Sequence, residues 1–243
     1  MPRNDGRPTI SPSTVLTFMA EPAIYLLRKR FGIKGEVGPG AWMGDAVHHG
    51  TAYQLLNTAD TDRALALAHD KFLERSQGEV REDIEEAKAR IPACLKQSYD
   101  ALSPFGKPIT IEGWVEAPIP GTDWLVRGRT DFGYSDFCVD LKTGRNCYTK
   151  PLADHVIQMG CYWRATGLPQ KVCYVTEKKF GIVNIPEEDL QTAWNQVVAV
   201  VRAISRIEEH SDHDAIALCP PRDLTGFRWD DQLRTKAREL WNL

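Results

Sequence analysis

The sequence has few of the features that mark membrane, redox or motor proteins. Its six cysteines stand singly with no C-x-x-C pair, so neither a zinc ribbon nor an iron–sulfur cluster has its usual ligand spacing. No run approaches the roughly 20 apolar residues that span a bilayer, and the opening MPRNDGRPTI lacks the apolar core of a signal peptide. No GKT or GKS loop occurs, which excludes a P-loop motor in this chain. We therefore expect a soluble cytoplasmic protein with reduced cysteines.

A strong excess of positive charge is also missing. The net charge is -3 and the pI is about 6.1. This argues against nonspecific nucleic-acid binding over the whole surface, but it is compatible with a local basic channel. The candidate residues for such a channel fall in one region and are Arg127, Arg129, Lys142, Arg145 and Lys150.

The chain divides by its periodicity. Helical spacing fills the first hundred residues, whereas β-branched and aromatic residues alternate after Pro104. This alternation predicts antiparallel strands near 109–117, 123–133 and 137–142, followed by a helix at 151–166 and further strands. We therefore expect an α/β fold in which a helical part, residues 1–105, packs on a mixed-sheet core, residues 106–243, as one compact unit. The polar residues 1–10 are expected to form no regular element.

Two carboxylates and a lysine lie at the tips of two predicted neighbouring strands. Asp131 and Asp140 flank a tight hairpin, and Lys142 shares a face with Asp140 because strand side chains alternate. Carboxylate oxygens are the ligands that Mg²⁺ prefers. A lysine beside a bound metal can orient the attacking water and stabilise phosphate charge. Because a D-x-K tripeptide often occurs by chance, this interpretation depends on the motifs that accompany it.

Five short motifs occur in a fixed order. They are G-x-x-x-H at 44–48 (GDAVH), Glu116, G-x-x-D at 128–131 (GRTD), D-x-K at 140–142 (DLK) and Q-x-x-x-Y at 158–162 (QMGCY). In this order they resemble the PD-(D/E)xK nuclease superfamily, specifically the RecB-like group that includes phage recombination exonucleases and CRISPR adaptation nucleases. The resemblance covers residues 11–185 and implies a restriction-endonuclease-like mixed sheet flanked by helices.

The resemblance also implies the metal ligands. His48, Asp131 and Asp140 would hold one or two Mg²⁺ or Mn²⁺ ions, and the carbonyl of Leu141 would complete the set. Imidazole suits Mn²⁺ at least as well as Mg²⁺. His49 is the alternative to His48, which the motif favours.

The remaining motif residues would act around the metal. Lys142 would work beside it, while Gln158 and Tyr162, four residues apart on one helical face, would contact the DNA backbone or position Lys142. Glu116 would be the carboxylate of the first strand. Glu112, on the same strand face, is its rival.

One part of the family pattern is missing. Many relatives hold an iron–sulfur cluster with one cysteine near the N-terminal helices and three near the C-terminus. Here the N-terminal position has none and only Cys219 remains near the C-terminus. We therefore expect no cluster, and packing must hold the two ends of the chain together.

The leading hypothesis is a metal-dependent exonuclease acting on linear DNA ends in phage-type recombination, replication or repair. The resemblance implies a single-strand annealing protein as a partner, and it is compatible with an oligomeric enzyme. If a phage encodes the chain, the expected location is the cytoplasm of the host cell. The alternatives are a CRISPR adaptation-type or structure-selective endonuclease, an inactive DNA-binding subunit, and a small-molecule metal hydrolase, for which no closed apolar pocket is apparent. Polarity, strand preference and the number of metals are not predicted.

Overall fold

A computed structural model describes residues 6–35, 37–57, 60–77, 79, 81–226 and 228–243. Its strands are β1 (Thr9–Ile10), β2 (Thr110–Pro118), β3 (Leu125–Gly133), β4 (Cys138–Thr143), β5 (Gln170–Val175) and β6 (Phe180–Asn184). Its helices are α1 (Pro12–Ala20), α2 (Pro22–Lys29), α3 (Pro39–Leu56), α4 (Thr61–Ser76), α5 (Glu82–Ala89), α6 (Ile91–Leu102), α7 (Ala153–Thr166), α8 (Glu187–Glu208), α9 (Asp212–Leu218) and α10 (Asp231–Trp241).

The described strands form one mixed, six-stranded sheet. Its order is β1-β3-β4-β5-β6, and β2 pairs with β3 from the other side. Neighbouring pairs are antiparallel except β1–β3 and β4–β5, which are parallel. Helix α7 makes the crossover between β4 and β5 that a parallel pair requires. The predicted α/β fold with a mixed central sheet is thus confirmed.

Helix boundaries follow local sequence chemistry. The Ser11 hydroxyl accepts the Thr14 N–H at 3.1 Å ahead of Pro12, which fits the first helical turn of α1. Pro22 opens α2 in the same way, so α1 ends at Ala20. Gly167, at φ 69°, ends α7 in the left-handed conformation that glycine adopts without cost.

The sheet is covered by apolar layers on both faces. Alternation along β5 sends Val172 and Tyr174 to a layer shared with α1, α7 and α8, and Cys173 and Val175 to a layer shared with the helices from α3 to α6. The helical part therefore packs directly on the sheet. Five of the six free cysteines are buried, and Cys147 is half-buried.

The two ends of the described chain meet by packing. Ala23, Ile24 and Leu27 of α2 form one buried cluster with residues of α10. The Tyr25 hydroxyl donates a 2.7 Å hydrogen bond to Glu208, and Arg30 donates to the Ile207 carbonyl. Cys219 lies in an adjacent apolar cluster. Packing thus joins the ends, as the sequence led us to expect.

Two features differ from the sequence-based expectations. Residues 9 and 10, expected to be irregular, form β1, because Ile10 is buried and pairs with Val126; residues 1–5 of that segment lie outside the described residues. Helix α9 was not predicted. Within the described residues, every helix is too short or too polar to traverse a bilayer.

Candidate active site

The sheet splits beside β3. Strand β2 pairs with β3 along its whole length, so β1 and β4 must share the opposite edge. There β1 reaches only Leu125 and Val126, while β4 pairs only with Phe132 and Gly133. Among the described residues, no strand pairs with this edge of β3 from 127 to 131, and a cleft opens at the gap.

Asp131 closes the split at its narrow end. Its Oδ2 atom accepts the Leu141 N–H at 2.8 Å. If the β3–β4 ladder continued past Phe132, the backbone of β3 would use this N–H instead. Extending the β3–β4 register places Asp131 opposite Asp140. The hairpin therefore brings the two carboxylates to one point, as the sequence predicted.

Burial and charge act together on Asp131. Burial, and then the nearby Asp140 carboxylate, raise the pKa of Asp131 to about 6, while His48 and Lys142 act in the opposite direction. A cation bound here would stabilise the ionised form of Asp131, which burial and the neighbouring carboxylate disfavour.

Asp140 and Lys142 form an ion pair next to Asp131. Asp140 is only 2% exposed, and its Oδ2 atom lies 2.7 Å from the Lys142 ammonium. Burial acts to lower the pKa of Lys142, but the charges of Asp140 and Asp131 outweigh it, so the pKa lies above its ordinary value. Lys142 is therefore a cation at neutral pH in this structure.

Gln158 joins this pair to α7. Its carbonyl oxygen accepts from Lys142 Nζ at 3.0 Å, while its amide nitrogen donates to Asp140 Oδ1 at 3.3 Å and to the Tyr162 hydroxyl at 2.9 Å. One amide thus fixes the positions of three motif side chains. The contact between Gln158 and Lys142 is the one that a positioning role for Gln158 requires.

Gly128 explains the glycine of the G-x-x-D motif. A Cβ at this position would lie 2.8 Å from the Tyr162 ring and 3.3 Å from Pro12. Such distances are too short for any larger residue without a shift of the ring. Glycine therefore lets α7 and the start of α1 approach the open edge of β3.

His48 lies on α3 and approaches the Asp131 carboxylate from the helical part. Its Nε2 atom lies 3.7 Å from Asp131 Oδ1 and its Nδ1 atom 3.8 Å from Glu112 Oε1, both too long for hydrogen bonds. The ring packs on Phe132 with centroids 4.9 Å apart. Gly44, one turn earlier, allows this approach, because a Cβ there would lie 3.1 Å from Thr143 Oγ1.

The structure separates the two candidate glutamates of β2. Glu112 lies beside His48 and forms a 2.7 Å ion pair with Arg129, and its φ of 49° is a conformation that non-glycine residues rarely adopt. Glu116 instead pairs with Arg127 at 3.1 Å. The carboxylate of β2 nearest to the Asp131–His48 pair in these contacts is Glu112.

The central cleft has a polar lining with two arginines and two carboxylates. It encloses about 360 Å³ and is lined by residues 11–13, Glu112, Trp114, Arg127, Gly128, Arg129, Asp131, Gln158 and Tyr162. Trp114, which sequence analysis did not single out, is 57% exposed, and the Arg129 guanidinium lies 5.5 Å from its ring centroid. Its position on the same strand face as the two glutamates was the signal that could have found it. Arg145, another basic candidate, pairs with Glu86.

The fold is that of the restriction-endonuclease-like α/β proteins, with a split sheet and carboxylates at the split. A profile of the PD-(D/E)XK nuclease superfamily matches residues 9–219, so the chain belongs to that superfamily of nucleases. The resemblance inferred from the motifs is confirmed.

Solved structures and curated proteins were also compared. A candidate exonuclease from Eubacterium rectale is similar with a TM-score of 0.61 and 16% identity, over 93% of this chain and 87% of that one. LHK-Exo, solved in complex with dAMP, has a TM-score of 0.38 and 12% identity, over 73% of this chain and 98% of that one. No curated protein matches the chain. Because its sequence identity is only 16%, the likeness to the Eubacterium rectale protein supports the fold alone.

Nucleases of this superfamily generally use divalent metal ions, and this site offers a suitable donor set. Asp131 and Asp140 supply hard oxygen ligands. The Nε2 atom of His48 is buried without a hydrogen-bond partner in the described chain. Among the described residues no three His, Cys, Asp or Glu side chains form a preassembled metal cluster, and Asp140 instead pairs with Lys142. The donor chemistry fits a divalent ion.

Proposed function

We propose that this nuclease is a metal-dependent deoxyribonuclease that removes nucleotides from the ends of linear DNA. One observation carries the proposal: Asp131, Asp140 and Lys142 meet at the open edge of β3, and Asp131 lines a cleft that contains arginines and an exposed tryptophan. A solvent-accessible centre of this kind can receive an extended polyanion. We propose that His48, Asp131, Asp140 and the Leu141 carbonyl hold the metal.

The side chains of the cleft have separable tasks in this proposal. A divalent ion, when bound, supplies an acidified water and neutralises phosphate charge. Lys142, held by Asp140 and Gln158, directs its Nζ protons toward the reacting phosphate and stabilises the charge that builds there. Gln158 and Tyr162 keep this lysine in place from α7.

Backbone contacts would come from the cationic side of the cleft. Arg127 and Arg129 are ion-paired with exposed or half-exposed glutamates, and such pairs are weak enough for phosphates to compete. Trp114 offers a face on which a base can stack. We propose that residues 1–105 act as the helical wall over the DNA end, since α3 brings His48 against the split of the sheet.

The first prediction concerns metal and substrate topology. End-labelled linear DNA should be degraded with Mg²⁺ or Mn²⁺ and remain intact in EDTA. In the proposed mechanism only a divalent metal ion supplies the acidified water. Closed circular DNA should survive under every condition. Gel analysis of released nucleotides against time measures both expectations.

Each alternative gives a different outcome in this assay. Cutting of closed circles would replace the exonuclease with an endonuclease of the adaptation or structure-selective type. Binding without cutting in any metal would indicate an inactive DNA-binding subunit. Unchanged degradation of linear DNA in EDTA would contradict the metal site.

A second prediction distinguishes Glu112 from Glu116. Glu112→Gln should reduce the rate of hydrolysis by roughly 10–100-fold, the usual cost of losing a group that orients a metal ligand, because Glu112 lies 3.8 Å from His48. Glu116→Gln is the matched control and should retain most activity, since Glu116 pairs with Arg127. The two rates are compared under identical metal and DNA concentrations. A larger loss for Glu116→Gln would restore Glu116 as the strand carboxylate.

The proposed biological setting is DNA recombination, replication or repair in the cytoplasm, of the host if a phage encodes the chain. A single-strand annealing protein is the proposed partner. Support comes from the motif order at 44–162, which is shared with recombination exonucleases.

A further inference from the structure

A second cavity lies on the far side of Glu112 from the central cleft. It encloses about 300 Å³ and is lined by His49, Ala52, Tyr53, Leu56, Asn57 and Ile111. The α3 residues recur at spacings of three and four, so they form one stripe on a single helical face. The start of β2 supplies the opposite wall.

The cavity adjoins the catalytic centre. His48 and Glu112 also line it, and Glu112 belongs to the central cleft as well. His48 Nε2 lies 3.7 Å from Asp131, while its Nδ1 atom faces Glu112. A nucleotide whose phosphate lies at Asp131 therefore has this cavity within reach of its base.

The lining combines flat apolar surface with unused polar groups. Neither the Tyr53 hydroxyl nor the His49 ring forms a hydrogen bond or ion pair with another described residue. Asn57 donates its side-chain N–H to the Tyr53 carbonyl, which leaves its amide oxygen as an acceptor. Leu56 and Ile111 add apolar walls. Aromatic faces with a few edge donors and acceptors are what a flat heterocycle with a polar rim requires.

We propose that this α3 cavity binds the base of the nucleotide next to the scissile phosphate. The proposal rests on the deoxyribonuclease function and deepens it, because a base that enters a side cavity cannot remain paired. The substrate class is then DNA with an unpaired terminal base, either a single strand or a frayed end. The polar central cleft holds the phosphates, and the α3 cavity holds the base.

Binding experiments in EDTA test the cavity without hydrolysis. Single-stranded oligonucleotides carry either a normal or an abasic terminal nucleotide, at the 5′ or the 3′ end. The wild-type protein should bind the abasic form roughly tenfold more weakly at one of the two ends, the scale of one base–aromatic stack. Tyr53→Ala should bind both forms equally at that end. Tyr53→Phe, which keeps the ring, should retain the discrimination.

Terminal 2-aminopurine gives a second readout. Its fluorescence should be quenched by stacking when the wild-type protein binds, and Tyr53→Ala should lose this quenching. Phe180→Ala, which removes an exposed ring on β6 outside the cleft, is the matched control and should behave as wild type.

Three negative outcomes are distinguishable. Wild-type protein that degrades linear DNA but binds abasic and normal ends equally would overturn the base cavity alone. Protein that neither binds nor degrades DNA would overturn the proposed function, and the base cavity with it. Equal discrimination by wild type and Tyr53→Ala would also overturn the cavity.

Discussion

Replacing Lys142 with methionine is expected to reduce DNA hydrolysis by roughly 10²–10⁴-fold, the usual contribution of a positioned proton donor or oxyanion-stabilising group. Methionine keeps the length of the side chain and removes the charge that lies 2.7 Å from Asp140 and 3.0 Å from Gln158. Lys142→Arg should not restore activity, because a planar guanidinium cannot occupy the position of a compact ammonium. Single-turnover cleavage of linear DNA measures both variants.

Folding must be separated from catalysis in this experiment. Loss of the lysine leaves Asp140, only 2% exposed, without its cation, and an uncompensated buried charge costs about 3 kcal/mol. The double variant Asp140→Asn/Lys142→Met removes both charges and should recover stability without recovering activity. Lys96→Met, which breaks an exposed ion pair with Asp100, is the control and should change neither. Near-wild-type cleavage by Lys142→Met would show that the reaction centre is elsewhere.

Much of this centre could be predicted because local rules determine it. Period-two alternation places Asp140 and Lys142 on one strand face, and period-four spacing places Gln158 and Tyr162 on one helical face. The hairpin between β3 and β4 then brings Asp131 opposite Asp140 without any long-range information. Motif order supplied the family, which the match over residues 9–219 confirms.

Features set by distant contacts could not be predicted in the same way. Strand β1 has only two residues, so no periodicity marks it, and it forms only because a parallel partner lies at Leu125 and Val126, more than a hundred residues later. Glu112 and Glu116 share a strand face and cannot be ranked by alternation. The choice depends on where α3 packs and on the left-handed backbone at Glu112.

The α3 stripe shows a further limit of sequence patterns. The sequence suggests only one role for His49, that of the alternative metal ligand to His48. Adjacent residues on a helix point in different directions, so at most one of the two side chains would face the metal. The direction of His49 gains meaning only when β2 lies opposite α3 and encloses a cavity between them. In the sequence alone, nothing distinguishes Tyr53 and Asn57 from other residues of a helix. Packing between the helical part and the sheet therefore supplies the new site.

Replacing Asp131 with asparagine is expected to stabilise the metal-free protein at neutral pH. Burial and Asp140 raise the pKa of Asp131 from 3.8 to about 6, so its charge opposes folding above that pH. Below pH 3.8 the carboxyl is neutral in both states and contributes nothing. Between these values wild-type stability falls, and above about 6 the full penalty, about 3 kcal/mol, is present. Asparagine avoids this penalty and can still accept the Leu141 N–H.

The sign of this effect links stability to metal binding at the proposed site. Urea unfolding in EDTA at pH 4 and pH 8 should show only a small difference in stability at the lower pH and a clearly more stable Asp131→Asn variant at the higher one. Added Mn²⁺ should then raise the stability of wild type but not of the variant, because a ligand that binds only the native state stabilises it. Asp136→Asn, an exposed change in the β3–β4 turn, should follow wild type throughout. The proposed metal site would be contradicted if the Asp131→Asn variant were less stable than wild type at pH 8. It would also be contradicted if Mn²⁺ stabilised the variant and the wild type equally.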